Sequence, residues 1–199
     1  MGFLEEKCYL SVLDEATLAS TVGFSCGNPD LDDFFLHESC VYNHQLLGKS
    51  YCYRLVESPE QVVSAFTLSN ASIRVDGLPN ARKKKVERNI PHAKTFKDYP
   101  AVLIGRLGVN IEFQSMYVGS ELMKFIKYWF IDSHNKTGCR FIVVDSYNNP
   151  QTLAFYKSNG FEPVFSGEQQ EKEYRRMSDD DVLHTRLLYF DLINISLSV

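Results

Sequence analysis

Apolar and polar positions alternate weakly from Lys7 to Leu13, which predicts a short strand, and Asp14 to Ser20 leaves room for one helical turn after it. Asn28 followed by Pro29 supplies an N-cap and a first-position proline. Leu31, Phe34, Phe35, Glu38, Val41 and Tyr42 then keep roughly helical spacing to about Leu47, predicting a helix. Ser50–Val56 and Gln61–Ile73 are β-branched and aromatic runs separated by Glu57, Ser58, Pro59 and Glu60, the pattern of a hairpin. From Asp76 to Pro100 the apolar period disappears among three prolines and a basic run, so a long loop or a loosely held short helix is expected. Ala101–Val109 is a continuous apolar run broken only by Gly105, Arg106 and Gly108. It reads as a buried strand whose glycines suggest a bulge or the close approach of a ligand. Val118, Leu122, Phe125, Ile126, Trp129 and Phe130 recur at three and four, giving a helix that ends near Asp132.

Phe141–Tyr147 is a second buried strand. Asn149 and Pro150 repeat the cap-and-proline pair, and Gly160 sits where a left-handed residue ends a helix. Pro163–Ser166 and Val182–Ile195 complete the chain as strand candidates around the polar insert Gly167–Asp181. Strands and helices interleave with hairpins at both ends, an order that implies an α+β or mixed α/β sheet in one domain over residues 1–199.

Composition narrows the picture. With 44% apolar residues in 199, a sizeable core is available, which excludes a disordered chain. No apolar run approaches the ~18 residues of a spanning helix, and Glu5, Glu6 and Lys7 stand where a secretory leader needs apolar residues, so a cytoplasmic protein with no membrane partner is expected. Cys8, Cys26, Cys40, Cys52 and Cys139 are scattered and odd in number, and the five histidines have no ligand spacing, so neither a disulfide frame nor a metal site is expected. Net charge is −4, yet Arg82, Lys83, Lys84, Lys85, Arg88, Lys94 and Lys97 face only Glu87 between Asn80 and Lys97. This segment nets +6 and leaves −10 elsewhere. Such a run is usually a solvated loop, and phosphate binding is the sharper alternative.

Candidate chemistry lies where Ala101–Val109 feeds the helix at Val118, because a strand entering a helix N-terminus exposes backbone N–H groups that favour an anion. There, IGRLGV followed by Gln114, five residues and Ser120-Glu121-Leu122 resembles the acyl-CoA-binding segment of the GNAT acetyltransferase superfamily. The segment NPQTLAFYKSNGF, with Asn149, Tyr156, Gly160 and Phe161, is similar to that family's second signature. FSCGNPDLDDFF, from Phe24 to Phe35, looks like the opening of the toxin-like branch, whose members acetylate aminoacyl-tRNA.

The resemblance implies a mixed, mostly antiparallel sheet with two splayed parallel central strands and flanking helices. It implies acetyl-CoA as acyl donor, held by Leu107, Val109, Gln114, Tyr117, Val118, Gly119, Ser120 and Asn149. A primary amine attacks directly, a backbone N–H near Val109 polarises the thioester carbonyl, and Tyr156 is the general acid. Read without the family frame, Tyr156 is a core tyrosine and Asn149 only a cap. Glu112 and Asp145 are conceivable bases through water, and neither is assigned. The acceptor stays open between a small or protein amine and aminoacyl-tRNA, the latter bound through Arg82, Lys83, Lys84, Lys85 and Arg88. A homodimer and an antitoxin-like partner also stay open. In one place the sequence departs from the family's pattern: the first glycine of the phosphate loop is Tyr117. Either its Cβ obstructs the phosphates, leaving a non-catalytic domain, or the local angles are already helical, the side chain points outward and the amides stay available. The second outcome is expected.

Overall fold

The computed structural model describes residues 2–196. In chain order the elements are α1 (Phe3–Lys7), β1 (Cys8–Val12), α2 (Glu15–Ala19), α3 (Pro29–Asp33), a π-helical turn (Phe34–Glu38) and α4 (Ser39–His44). β2 (Lys49–Leu55), β3 (Val62–Arg74), α5 (Asn80–Val86), β4 (Asp98–Val109) and α6 (Val118–Ile131) follow. The chain ends with β5 (Phe141–Tyr147), α7 (Pro150–Ser158), β6 (Glu162–Pro163), α8 (Glu168–Arg175), β7 (Thr185–Asp191) and α9 (Ile193–Ser196). The strands form a seven-stranded sheet in the order β1-β2-β3-β4-β5-β7-β6, mixed and mostly antiparallel with a parallel pair, flanked by helices, as the GNAT resemblance implies.

Two compact units emerge, Met1–Ser69 with Ile104–Ile126, and Asn70–Leu103 with Lys127–Val199. In the first, β1 runs antiparallel to β2 (Cys8 opposite Leu55) and β2 to β3 (Lys49 opposite Leu68). Ser50 and Thr67, also opposite one another, share a buried 2.7 Å hydroxyl bond. Leu13, Phe24, Phe34, Phe35, Cys52, Val62 and Ala65 form its core. Each large side chain buried there contributes about 1.5–3 kcal/mol. In the second unit, β5 pairs antiparallel with β7 (Phe141 opposite Asp191), and Arg140 grips Asp191 through Nε at 2.7 Å and Nη2 at 3.0 Å. Phe141, Val143, Phe165 and Tyr189 pack with Ile73, Val75 and Tyr99.

Four expectations change. The helix expected from Pro29 to about Leu47 is interrupted by the π turn, which buries both Phe34 and Phe35. Adjacent residues on a regular α-helix point about 100° apart, and the wide turn seats both rings in the core while Ser39 Oγ donates to the Phe35 carbonyl at 2.9 Å. The polar insert holds α8, whose one buried residue is a glutamate, so apolar periodicity could not reveal it. The N-terminus forms α1, whose Phe3 and Leu4 amides donate to the Glu121 carboxylate of α6 at 2.9 and 2.7 Å. The last strand candidate narrows to Thr185–Asp191 and turns into a helix.

Candidate functional site

β4 ends at Val109 and is followed by Asn110, a buried asparagine whose side chain and backbone fix the next turn. Its N–H donates to Val63 O at 2.9 Å, its Nδ2 to Val62 O at 3.0 Å, and its Oδ1 accepts from Glu112 N at 3.1 Å. A short 3-10 turn, Ile111–Phe113, follows. Ile111 N–H bonds to Ser25 O at 2.9 Å, while Gln114 Nε2 donates to Cys26 O at 2.9 Å and Val109 O at 3.0 Å. The turn is therefore braced by the Phe24–Asn28 segment, itself held by Asp32, whose carboxylate accepts from Cys26 N and Ser25 Oγ at 2.7 Å each. Burial raises the Asp32 pKa, but these hydrogen bonds outweigh it and hold the carboxyl below its usual range.

Gly108 is explained by the same brace. A Cβ there would lie 3.0 Å from Cys26 Cβ and 3.1 Å from Cys26 Sγ, so this glycine accommodates the close approach of the chain's own Cys26. A Cβ on Gly105 would meet nothing nearer than 4.0 Å. Leu107 and Val109, on either side of Gly108, are half-buried.

Beyond Gln114 the backbone passes through two left-handed residues, Ser115 (φ 66°) and Tyr117 (φ 61°). Tyr117 therefore does not have the right-handed helical angles that the sequence reading supposed. It occupies the conformation a glycine supplies, at a cost of about 1–2 kcal/mol. Its side chain is 81% exposed and does point outward. The Tyr117 carbonyl accepts from the N–H groups of Ser120 and Glu121, both at 3.0 Å, and so founds the first turn of α6. Among the described residues, the N–H groups of Gln114, Ser115, Met116, Tyr117, Val118 and Gly119 have no protein partner. Six consecutive donors without a partner among the described residues, at a helix start, can receive a diphosphate, and the Tyr117 ring is turned to solvent.

The second signature lies in the other unit. Asn149 Oδ1 caps α7 by accepting from Thr152 N at 2.9 Å, which leaves its Nδ2 without a partner among the described residues. Tyr156, 8% exposed, packs its ring against Phe155 (5.2 Å) and Phe161 (5.4 Å). Its hydroxyl has no hydrogen-bond partner among the described residues, and burial pushes its pKa up to about 12, so the phenol keeps its proton at neutral pH. Asp145 pairs with Arg175 at 2.8 Å, and Glu112 accepts from Gln61 Nε2, so both conceivable bases are already engaged. Sequence reading missed the anchor of that Arg175. Glu171, wholly buried, accepts from Arg175 Nη2, Arg186 Nε and Leu187 N, each at 2.7 Å. The i,i+4 pair Glu171/Arg175 was its one local signal.

The basic segment contains α5, and much of its charge is spent internally. Arg82 donates to the Val164 and Pro163 carbonyls, Lys85 pairs with Glu162 at 2.7 Å, and Lys83 approaches Glu87 at 4.0 Å. Lys84 and Arg88 are exposed and have no partner among the described residues. Among those residues there is no cluster able to hold a metal ion and no helix long and apolar enough to cross a membrane. All five histidines are exposed. Burial pushes the Cys8, Cys26 and Cys139 thiols up to about 11 and Cys52 to about 12, away from nucleophile chemistry.

No protein-family model matches the chain, and no curated protein matches it either. Solved structures do. A tyrosine-to-phenylalanine mutant of KacT is 19% identical with a TM-score of 0.70, covering 98% of this chain and 100% of its own. AtaT complexed with acetyl-methionyl-tRNAfMet is 22% identical with a TM-score of 0.66, covering 96% and 98%. AtaTR bound with AcCoA is 20% identical with a TM-score of 0.65, covering 97% and 98%. At these identities the likeness establishes the fold, which is GNAT-like along nearly the whole chain.

Proposed function

We propose that the protein is an N-acetyltransferase that moves an acetyl group from acetyl-CoA to a primary amine, and that this amine is the α-amino group of an aminoacyl-tRNA. The observation that carries the proposal is the run of six unpaired amides from Gln114 to Gly119, left open by the outward Tyr117, in a fold shared with a structure bound with AcCoA. The acceptor is supported by the AtaT complex with acetyl-methionyl-tRNAfMet and by two exposed cations without a partner among the described residues, Lys84 on α5 and Arg88 just after it.

Acetyl-CoA, when bound, supplies the activated thioester acyl group. The amides of residues 114–119 bind its diphosphate, with Ser120 closing the turn. Leu107 and Val109 flank the arm, an N–H near Val109 polarises the acyl carbonyl, and Asn149 Nδ2 is free to hold the arm's amide. Tyr156 holds a proton at its Oη and delivers it to sulfur as the C–S bond breaks and the amine nitrogen bonds to the acyl carbon. An α-amino group has a pKa of about 7.7–8.0, so about a tenth of it is already neutral at pH 7, and a relay of water suffices, Glu112 and Asp145 being already engaged. The alternative, a non-catalytic CoA-binding or interaction domain, was motivated by Tyr117, and the exposure of its ring favours an open turn that can take the cofactor.

Tyr156→Phe is expected to slow turnover about 100-fold or more with the acetyl-CoA Kd within twofold, measured with charged bulk tRNA. Unchanged turnover would remove the phenol from the chemistry. Binding of tRNA should weaken with salt at about 0.7–0.9 in log–log slope per phosphate neutralised, and Lys84→Ala with Arg88→Ala should flatten that slope. A slope already flat in the wild type would exclude tRNA as acceptor.

A further inference from the structure

Lys127 on α6 has no role in the reaction above, yet its ammonium is drawn out of solvent onto aromatic rings. Nζ lies 3.8 Å from the Phe190 ring centroid and 5.4 Å from that of Phe161, and it donates to the backbone carbonyl of Asn159. Burial pulls its pKa down to about 8, while the rings and the carbonyl favour the cation, so it is charged at neutral pH.

Asn159 is the C-cap of α7. The helix closes in a Schellman turn: Gly160 N–H bonds to Lys157 O at 2.9 Å and Phe161 N–H to Tyr156 O at 3.0 Å, with Gly160 at φ +79°. The apolar contact that completes this turn is the 5.4 Å packing of Phe161 on Tyr156 itself. Among the described residues the phenol of Tyr156 has no hydrogen bond to aim it, so ring packing sets the direction of its Oη. Of its ring partners among the described residues, Phe161 is fixed from behind by Phe190 at 5.7 Å and by the Lys127 ammonium. That cation also satisfies a carbonyl at a helix C-terminus, where positive charge is favoured.

We propose that Lys127 is a positioning residue for Tyr156: its ammonium ties the Asn159 carbonyl to the Phe161–Phe190 pair and thereby fixes the ring on which the Tyr156 phenol rests. Its kinetic consequence rests on the reading of Tyr156 as proton donor, whereas its structural consequence does not.

The test uses full-length protein labelled with 13C at tyrosine Cζ, the Tyr156 resonance being identified by its loss in Tyr156→Phe. Lys127→Met keeps the apolar stem and should move that resonance, Lys127→Arg should restore it, and Phe190→Leu, which removes the ring beneath the ammonium, should move it as well. Lys124→Met, at an exposed lysine of the same helix, should leave it in place. With charged bulk tRNA, Lys127→Met should lower kcat about tenfold at unchanged KM for acetyl-CoA, and should have no further effect in a Tyr156→Phe background. An unmoved resonance in both Lys127→Met and Phe190→Leu overturns the proposal, as does a kcat loss that persists undiminished beside Tyr156→Phe. Should Lys127→Met fail to fold, Phe190→Leu decides the matter. Unchanged turnover in Tyr156→Phe alone sinks the proton-donor reading and leaves the resonance arm to judge Lys127 by itself.

Discussion

Replacing Tyr117 by glycine separates what the backbone needs from what the side chain does. At φ 61° an L-residue carries about 1–2 kcal/mol of strain that glycine does not. Glycine gives back about 0.5–1 kcal/mol through the greater freedom of its unfolded chain. The ring is 81% exposed, so little burial is forfeited. The net is a gain of about 0.5–1 kcal/mol, or about 1–4 °C in Tm for a chain of this size. Tyr117→Ala is the matched control: it removes the same ring, keeps the strained Cβ, and should leave Tm level or slightly lower. Thermal unfolding by circular dichroism reads both, and calorimetric titration with acetyl-CoA should give Kd values within twofold of wild type, because the donors are backbone N–H groups. A fall of more than about 2 °C in Tyr117→Gly would show that the ring packs on something and is not the solvated side chain described here. Weaker acetyl-CoA binding in both variants would show that the ring itself holds the ligand.

Two further outcomes follow from burial and charge. Glu171→Gln should cost about 3 kcal/mol in urea unfolding, because it leaves Arg175 and Arg186 facing a neutral amide in a fully buried site. Glu173→Gln, exposed on the same helix, should stay within about 0.5 kcal/mol, and equal effects would dismiss the buried cluster as an anchor. Tyr53, Tyr99, Tyr156 and Tyr189 are all pushed up to about 12 by burial, above the value of 10 expected of an unfolded chain. The stability this contributes is complete below pH 10 and is lost as pH rises toward 12, since the unfolded state releases its phenol protons first. Tm measured from pH 9 to 11.5 should decline, and a flat profile would contradict the burial of these rings.

The parts of the fold that were legible from sequence are those whose cause is local. Asn28 with Pro29, and Asn149 with Pro150 and Gly160, carry their caps within a few residues, and each capping side chain makes the bonds its spacing predicts. Val118 to Ile126 shows its stripe because the residues it buries, Val118, Leu122, Met123 and Ile126, are all apolar. What escaped depends on partners far along the chain. The N-terminal helix α1 is stabilised by Glu121, more than a hundred residues away, and α8 by a buried carboxylate whose second arginine lies on β7. Gly108 was recognisable as a close approach, but the approaching group, Cys26, could not be named until the fold brought it there. Tyr156 and its Gly-Phe frame could be seen in the sequence, whereas the clamp behind them, from Lys127 to Asn159, needed the tertiary structure.

Ser25 and Cys26 offer their carbonyls to Ile111 and Gln114, and this makes two distant stretches one mechanical part. Residues 24–28 thus behave as a buttress under the turn that enters α6. Drawing residues 24–28 away would strip Ile111 and Gln114 of these acceptors, and the stretch that leads into α6 would lose its support from below.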